Sequence, residues 1–159
     1  ETTLSLTTAG GKTGAWTYAW DNGGGTTNSY TFKAAAAGEY QVKVLVKNTL
    51  GNSFDYTETL TYTIKVWNKC SITQHTYPKA LYVEDEVTLS FAHAGGKDNA
   101  WSYEWDNNGG SATSYTFKPT TAGDYHIKVL VKNTLGNTDA QYDYTETLTY
   151  TIKVWKNSN

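Results

Sequence analysis

Apolar and polar residues alternate with a period of two along most segments between turn signals. In "EYQVKVLVKN", Tyr40, Val42, Val44 and Val46 fall on one face, with Gln41, Lys43 and Lys47 on the other. In "TLTYTIKVW" the inward set is Leu60, Tyr62, Ile64 and Val66, with Thr61, Thr63 and Lys65 opposite. Side chains at i and i+2 share one face of a strand, so the alternation predicts half-buried strands. The turn signals "DNGGG", "AAAAGE" and "NTLGN" interrupt it in the first half, and "DNNGG", "PTTAGD" and "NTLGN" in the second. No segment has a sustained helical period, and "KAAAAGEY" is short and aligns with "KPTTAGDY", where a proline sits. The predicted class is all-β.

The pattern is duplicated almost verbatim. "KVLVKNTLGN" occurs at 43–52 and 128–137, "SYTFK" at 29–33 and 114–118, and "DYTETLTYTIKVW" at 55–67 and 143–155. The offset is 85 residues up to Asn52 and 88 thereafter, because "TDAQYDY" is three residues longer than "SFDY". Such a length change belongs in a surface loop. Two tandem antiparallel β-sandwich lobes follow, one over residues 1–69 and one over 70–159. The second lobe has an additional opening segment, "SITQHTYPKALYVEDEVTLSF" (71–91), which reads as a first strand, a break at Pro78, a continuation, and a turn at "EDE". The first lobe begins at the equivalent of that turn, so its own first strand is expected to be missing from the chain or supplied in some other way. Only "NKC" is left as a linker, too short for a free tether, and the lobes are expected to abut.

Composition removes several function classes. The 13 basic residues are all lysine, against 15 acidic ones for a net charge of −2, and no basic run interrupts the chain. Without arginine or a basic stripe, nucleic acid is not an expected partner. No segment reads as a membrane span or signal peptide, so no membrane insertion is expected, and the abrupt start inside a strand suggests a piece of a larger surface protein with other domains. A chain rich in Thr, Tyr, Gly and Asn without Met or Arg is associated with secreted or cell-surface bacterial modules, here expected to act as a monomer. Cys70 is the only cysteine and reads as an inert linker residue.

The aromatics carry the candidate chemistry. "AWTYAW" and "AWSYEW" place Trp16, Tyr18 and Trp20, and then Trp101, Tyr103 and Trp105, at alternate positions. Tyr18, Trp20 and their repeats have the parity of core residues. Trp16 and Trp101 follow the glycine loops "AGGKTGA" and "AGGKDNA", and both a core and an exposed reading stay open for them. Trp67 and Trp155 share the outward parity of Thr61, Thr63 and Lys65, which calls for a packing partner or a ligand. A neutral sugar fits, since the C–H face of a pyranose packs flat on indole while polar side chains meet its hydroxyls. The candidate carbohydrate site is therefore Trp16, Trp101, Trp67 and Trp155, with Lys12 and Lys97 as rim donors, or as plain solvated loop residues. Trp20 and Trp105 join the site only if the "AWTYAW" face is itself the platform. Burying about 100 Å² at ~25 cal/mol per Å² gives roughly 2.5 kcal/mol, well short of the ~8 kcal/mol of micromolar binding, so both lobes are expected to engage one polymer.

Catalysis finds little support. A glycosidase needs two carboxylates facing across a cleft. Asp21 and Asp106 lie in turn signatures, and Asp55, Glu58, Asp143 and Glu146 border a Thr-rich strand. His75, His93 and His126 all fall in the second lobe without metal-ligand spacing, and "DNGG" lacks the spaced acids of a calcium loop. A non-enzyme without cofactor or metal is expected.

The succession of aromatic strand, "WDNGG" turn, "SYTF", "AGEY" or "AGDY" into "VKVLVKNTLGN", and a long final strand resembles the bacterial immunoglobulin-like (Ig-like) repeats of the polycystic-kidney-domain and triple-tyrosine type. The resemblance implies Ig-like sandwiches in which Tyr40 and Tyr125 pack at a strand corner and Trp20 and Trp105 are core residues. "WDNGG" departs from the polycystic-kidney pattern, which has an aromatic after the Asp. In its tandem lobes, paired aromatic strands and short linker, the chain also resembles the bilobed starch-binding modules of the starch adherence systems of gut ruminococci. That resemblance implies binding of α-1,4-glucan, as polysaccharide or maltooligosaccharide, at the cell surface, with hydrolases elsewhere. A passive spacer or adhesin stalk, or a module for another cell-wall or plant polysaccharide, is the alternative.

Overall fold

The computed structural model describes residues 1–51, 53–136 and 140–158. The chain divides into two compact units, Glu1–Trp67 and Asn68–Asn159. Lobe 1 contains β1 (Thr2–Ser5), β2 (Trp16–Trp20), β3 (Ser29–Phe32), β4 (Gly38–Asn48) and β5 (Tyr56–Val66). β1 and β3 form one sheet, and the other has the order β2-β4-β5, all antiparallel. Lobe 2 contains β6 (Ser71–Gln74), β7 (Ala80–Tyr82), β8 (Val87–Ala94), β9 (Trp101–Trp105), β10 (Ser114–Phe117), β11 (Gly123–Asn133) and β12 (Tyr144–Trp155). Its sheets have the orders β10-β8-β6 and β7-β12-β11-β9.

One pairing departs from the expected antiparallel plan, because β7 runs parallel to β12. Between the end of β6 at Gln74 and the start of β7 at Ala80 the chain passes Pro78, which has no N–H to give a ladder. The chain crosses there from the β8 sheet to the β12 sheet and continues in the same direction as the final strand. Of the longer loop in lobe 2, Thr138 and Asp139 lie outside the described residues, and the part that follows is a single 3-10 turn, Ala140–Tyr142.

The period-two reading sets the cores. In lobe 2, Leu89 and Phe91 of β8 and Phe117 of β10 meet Trp105, Ile127, Val129, Val131, Tyr150 and Ile152 of the facing sheet. In lobe 1, Leu4, Leu6 and Phe32 meet Trp20, Val42, Val44 and Val46. The tyrosine corners form as the resemblance implies: Tyr40 Oη donates to the Ala36 carbonyl at 2.8 Å, and Tyr125 Oη to that of Thr121 at 2.9 Å. Each core also holds one amide the alternation does not reveal. Asn48 and Asn133 are buried, and each closes a two-way bond with a loop backbone. Asn48 Oδ1 accepts from Lys12 N–H at 2.9 Å while its Nδ2 donates to the Lys12 carbonyl at 3.0 Å, and Asn133 does the same with Lys97. Both polar ends are thereby satisfied inside the sandwich.

Two tyrosines in lobe 2 hold their protons unusually well. Burial pushes Tyr150 up to about 12, and its hydroxyl donates to the Ser90 carbonyl at 2.7 Å. Burial, reinforced by the hydrogen bond to Glu146, pushes Tyr144 to about 12 as well. An unfolded tyrosine ionises at 10.0, so in this range the unfolded chain binds fewer protons than the folded one. Their contribution to stability is therefore full below pH 10 and is lost as pH rises from there to about 12. Urea-unfolding stability of the chain should fall across that window, and fall less steeply in a Tyr144→Phe/Tyr150→Phe variant. Identical slopes would refute the assignment.

Candidate functional site

The six indoles divide into three classes. Trp20 and Trp105 are 7% and 4% exposed. Their Nε1–H groups donate to the main-chain carbonyls of Thr27 at 2.8 Å and Ala112 at 2.7 Å. Trp20 packs on Tyr30 and Tyr62, and Trp105 on Tyr115 and Tyr150. Neither can offer a face to a ligand, so their place in the candidate site is corrected here to the core, where strand parity and the turn chemistry put them.

Trp16 and Trp101 are half-buried at the start of the same strands. Each Nε1–H donates back to its glycine loop, to Gly10 O at 3.3 Å and Gly95 O at 3.2 Å. Each meets a tyrosine edge-on, Tyr56 at 5.8 Å and Tyr144 at 6.0 Å between ring centres. Trp101 is further covered by His93, whose ring centre lies 4.3 Å away and whose Nε2 bonds Tyr103 Oη at 2.6 Å. Lobe 1 has Thr8 at the position of His93, with its hydroxyl 3.3 Å from Tyr18 Oη.

Trp67 and Trp155 stand at the far end of the long strands. Trp16 opens β2 opposite Asn48, whereas Trp67 follows the last residue of β5, about 35 Å away along an eleven-residue strand. These two candidates therefore do not converge on one site. Trp67 is half-buried with the Lys65 ammonium 5.4 Å from its ring. Trp155 is 52% exposed, with the Lys153 ammonium at 4.8 Å. In register with it on β7 is Tyr82, 54% exposed. Register partners on neighbouring strands share a face. Tyr82 and Trp155 thus form an outward aromatic pair that sequence reasoning missed, since nothing in "KALYVEDE" signals parallel pairing with a strand some seventy residues on.

The lysines serve loops. Lys97 Nζ donates to Leu135 O at 3.2 Å, and Lys12 is exposed at the rim of the Trp16 loop. The carboxylates act as turn acceptors. Asp21 and Asp106 take the N–H of Lys43 and Lys128 at 3.0 and 3.1 Å. Asp55 takes those of Leu50 and Gly51, and Asp143 that of Leu135. Glu58 and Glu146 accept from Tyr56 and Tyr144. His75 bonds Ser90 Oγ at 2.8 Å and His126 bonds Thr151 Oγ1 at 3.2 Å. Among the described residues no group of three His, Cys, Asp or Glu is placed to hold a metal ion. Burial pushes the Cys70 thiol up, away from a reactive thiolate. Among the described residues no helix is long and apolar enough to cross a membrane.

Over 96% of its length the chain superposes on 95% of the amphioxus IgVJ-C2 molecule, with a TM-score of 0.51 at 12% identity. The fold is Ig-like. Within the second Ig-like lobe, residues 93–154 match the family described as the Y_Y_Y domain. The sequence is also 35% identical over 158 residues to the highly immunogenic outer capsid protein of Enterobacteria phage T4, a match covering 88% of this chain. The chain spans 42% of that protein's length.

The division of indoles fixes what truncation does in each Ig-like lobe. Trp20→Ala and Trp105→Ala should each destabilise their lobe by about 3–5 kcal/mol, the cost of emptying a buried aromatic site. Trp16→Ala and Trp101→Ala, half-buried, should lose roughly half as much and still unfold cooperatively. Chemical denaturation followed by circular dichroism ranks the four, and equal losses at both kinds of position would contradict the placement.

Proposed function

We propose that the chain is a non-catalytic pair of Ig-like modules displayed on the outside of a particle or cell, touching saccharide through the Tyr82–Trp155 face of lobe 2. The observation that carries this reading is that pair: two aromatics in register on β7 and β12, each about half exposed, with the Lys153 ammonium over one face of the indole. Exposed aromatics on one outward sheet face offer apolar surface to the C–H side of a sugar ring, and a lysine close by can donate to hydroxyls. The match to an outer capsid protein of a phage supports display at an outer surface. Within the saccharide class, α-1,4-glucan is the first ligand to try, because the paired aromatic strands and tandem lobes resemble starch-binding modules. A polymer rather than a short sugar suits the site, since one aromatic pair supplies only a few kcal/mol.

A second reading, a passive display spacer, is favoured by a different observation. Trp16, Trp20, Trp101 and Trp105 all donate their indole N–H to main chain of their own lobe, as structural residues do. Native electrophoresis through gels containing amylopectin, xyloglucan or no polysaccharide separates the two. Selective retardation in amylopectin that is lost in Trp155→Ala and Tyr82→Ala, with melting unchanged and no effect of EDTA, is the expected result. Free migration in every gel leaves the spacer, and retardation that survives both substitutions places the contact elsewhere.

A further inference from the structure

The outward faces of the two long-strand sheets gather the positive charge of a chain whose net charge is −2. In lobe 1 the exposed residues of β4 and β5 that turn away from the core include Lys43, Lys47 and Lys65, with Glu39 as the acid among them. In lobe 2 the same face of β11 and β12 carries Lys128, Lys132 and Lys153, with Asp124 beside them and Glu104 on β9. Lysine outnumbers carboxylate on both faces, although the whole chain has 13 basic and 15 acidic residues.

The lysines are spaced rather than clustered. Lys43 and Lys47 are four residues apart on β4, about 13 Å along a strand, and Lys65 lies opposite Glu39, four residues further on. Lys132, Lys128 and the Lys153–Asp124 pair repeat the arrangement. Lys153 Nζ is 3.9 Å from Asp124, but among the described residues Lys43, Lys47, Lys128 and Lys132 make no ion pair. Alongside runs a column of exposed hydroxyls, with Thr61 opposite Lys43 and Thr57 opposite Lys47, and Thr149 opposite Lys128 and Thr145 opposite Lys132. Thr59 and Thr63, and Thr147 and Thr151, complete the two columns.

A lysine ammonium is a point charge with three rotatable donors, and a face without arginine has no fork for a phosphate. Nor do these strands turn a row of aromatic rings outward for successive bases to stack on, since the indole comes at one end, at Trp67 or Trp155. Evenly set ammonium groups beside hydroxyls that both donate and accept complement a polymer bearing spaced negative charges and many hydroxyls.

We propose that these faces bind an anionic polysaccharide, with its carboxylate or sulfate groups against Lys43 and Lys47 in lobe 1 and Lys128 and Lys132 in lobe 2, and its hydroxyls against the threonine columns. Glu104 sets the two faces apart. It lies opposite Leu130, between the two lysine positions, where lobe 1 has Ala19 opposite Leu45. A carboxylate there repels the anions of the ligand, so lobe 1 is the tighter site. The inference holds for lobe 1 by itself and is independent of stacking at Tyr82 and Trp155.

The test follows backbone amide shifts by NMR while sodium polygalacturonate or dextran sulfate is titrated into the full chain at low salt. Shifts are expected along Lys43–Lys47 and Thr57–Thr63 and, at higher ligand concentration, along Lys128–Lys132 and Thr145–Thr151, fading as salt is raised. Lys43→Gln/Lys47→Gln should weaken binding at lobe 1 by about tenfold with melting unchanged, and Glu104→Ala should bring lobe 2 up to lobe 1. Fully methyl-esterified polygalacturonate, the same backbone without the charge, should shift neither face. Tyr82→Ala/Trp155→Ala, which removes the retardation expected in amylopectin, should leave these shifts in place. No shift with either polyanion, binding that survives the lysine substitutions, or single-stranded DNA bound as tightly as the polysaccharides overturns the proposal.

Discussion

Each sandwich is organised around one indole locked over a bare turn. Trp20 and Trp105 fill the centre of their cores, yet their polar edge is satisfied by a carbonyl on the far side of the following turn. The turn must therefore come close, and it does so at Gly24 and Gly109. A Cβ at either glycine would lie 2.6 Å from the tryptophan Cβ and against the ring of Tyr30 or Tyr115. The turn is tied down from the other side by Asp21 and Asp106, which accept from the next strand but one. A large apolar ring, a hydrogen bond, and a position where no side chain fits are thus a single constraint.

Most of this was legible from residue order. Strict alternation in "EYQVKVLVKN" identifies Val42, Val44 and Val46, and the repeat marks the two lobes, because burial on a sheet face obeys a period that sequence displays directly. Trp20 and Trp105 were legible as core by the same parity. The buried Asn48 and Asn133 were not: an asparagine at the end of a strand reads as a turn residue, and only the loop folding back over it reveals a two-way clamp. The cover of Trp101 was not legible either, since it comes from His93 on a different strand. The Tyr82–Trp155 pair requires knowing which strand the chain joins after the break at Pro78, a long-range pairing that no local residue specifies.

The two halves also separate sequence from environment. "DYTETLTYTIKVW" is the same string twice, yet its apolar face is sealed in one lobe and half open in the other. Propensity and pattern are constant across this comparison. The difference in burial comes from whether a neighbouring strand lies alongside, which is the sense in which strand stability is a property of the pairing and not of the segment.

The parallel register of β7 and β12 has a mechanical side. In lobe 2 the opening segment and the final strand lie next to each other, bonded by Lys153 N–H to Lys79 O and Val83 N–H to Trp155 O, both at 2.9 Å. A pull on the two ends of that lobe loads these bonds together, in shear.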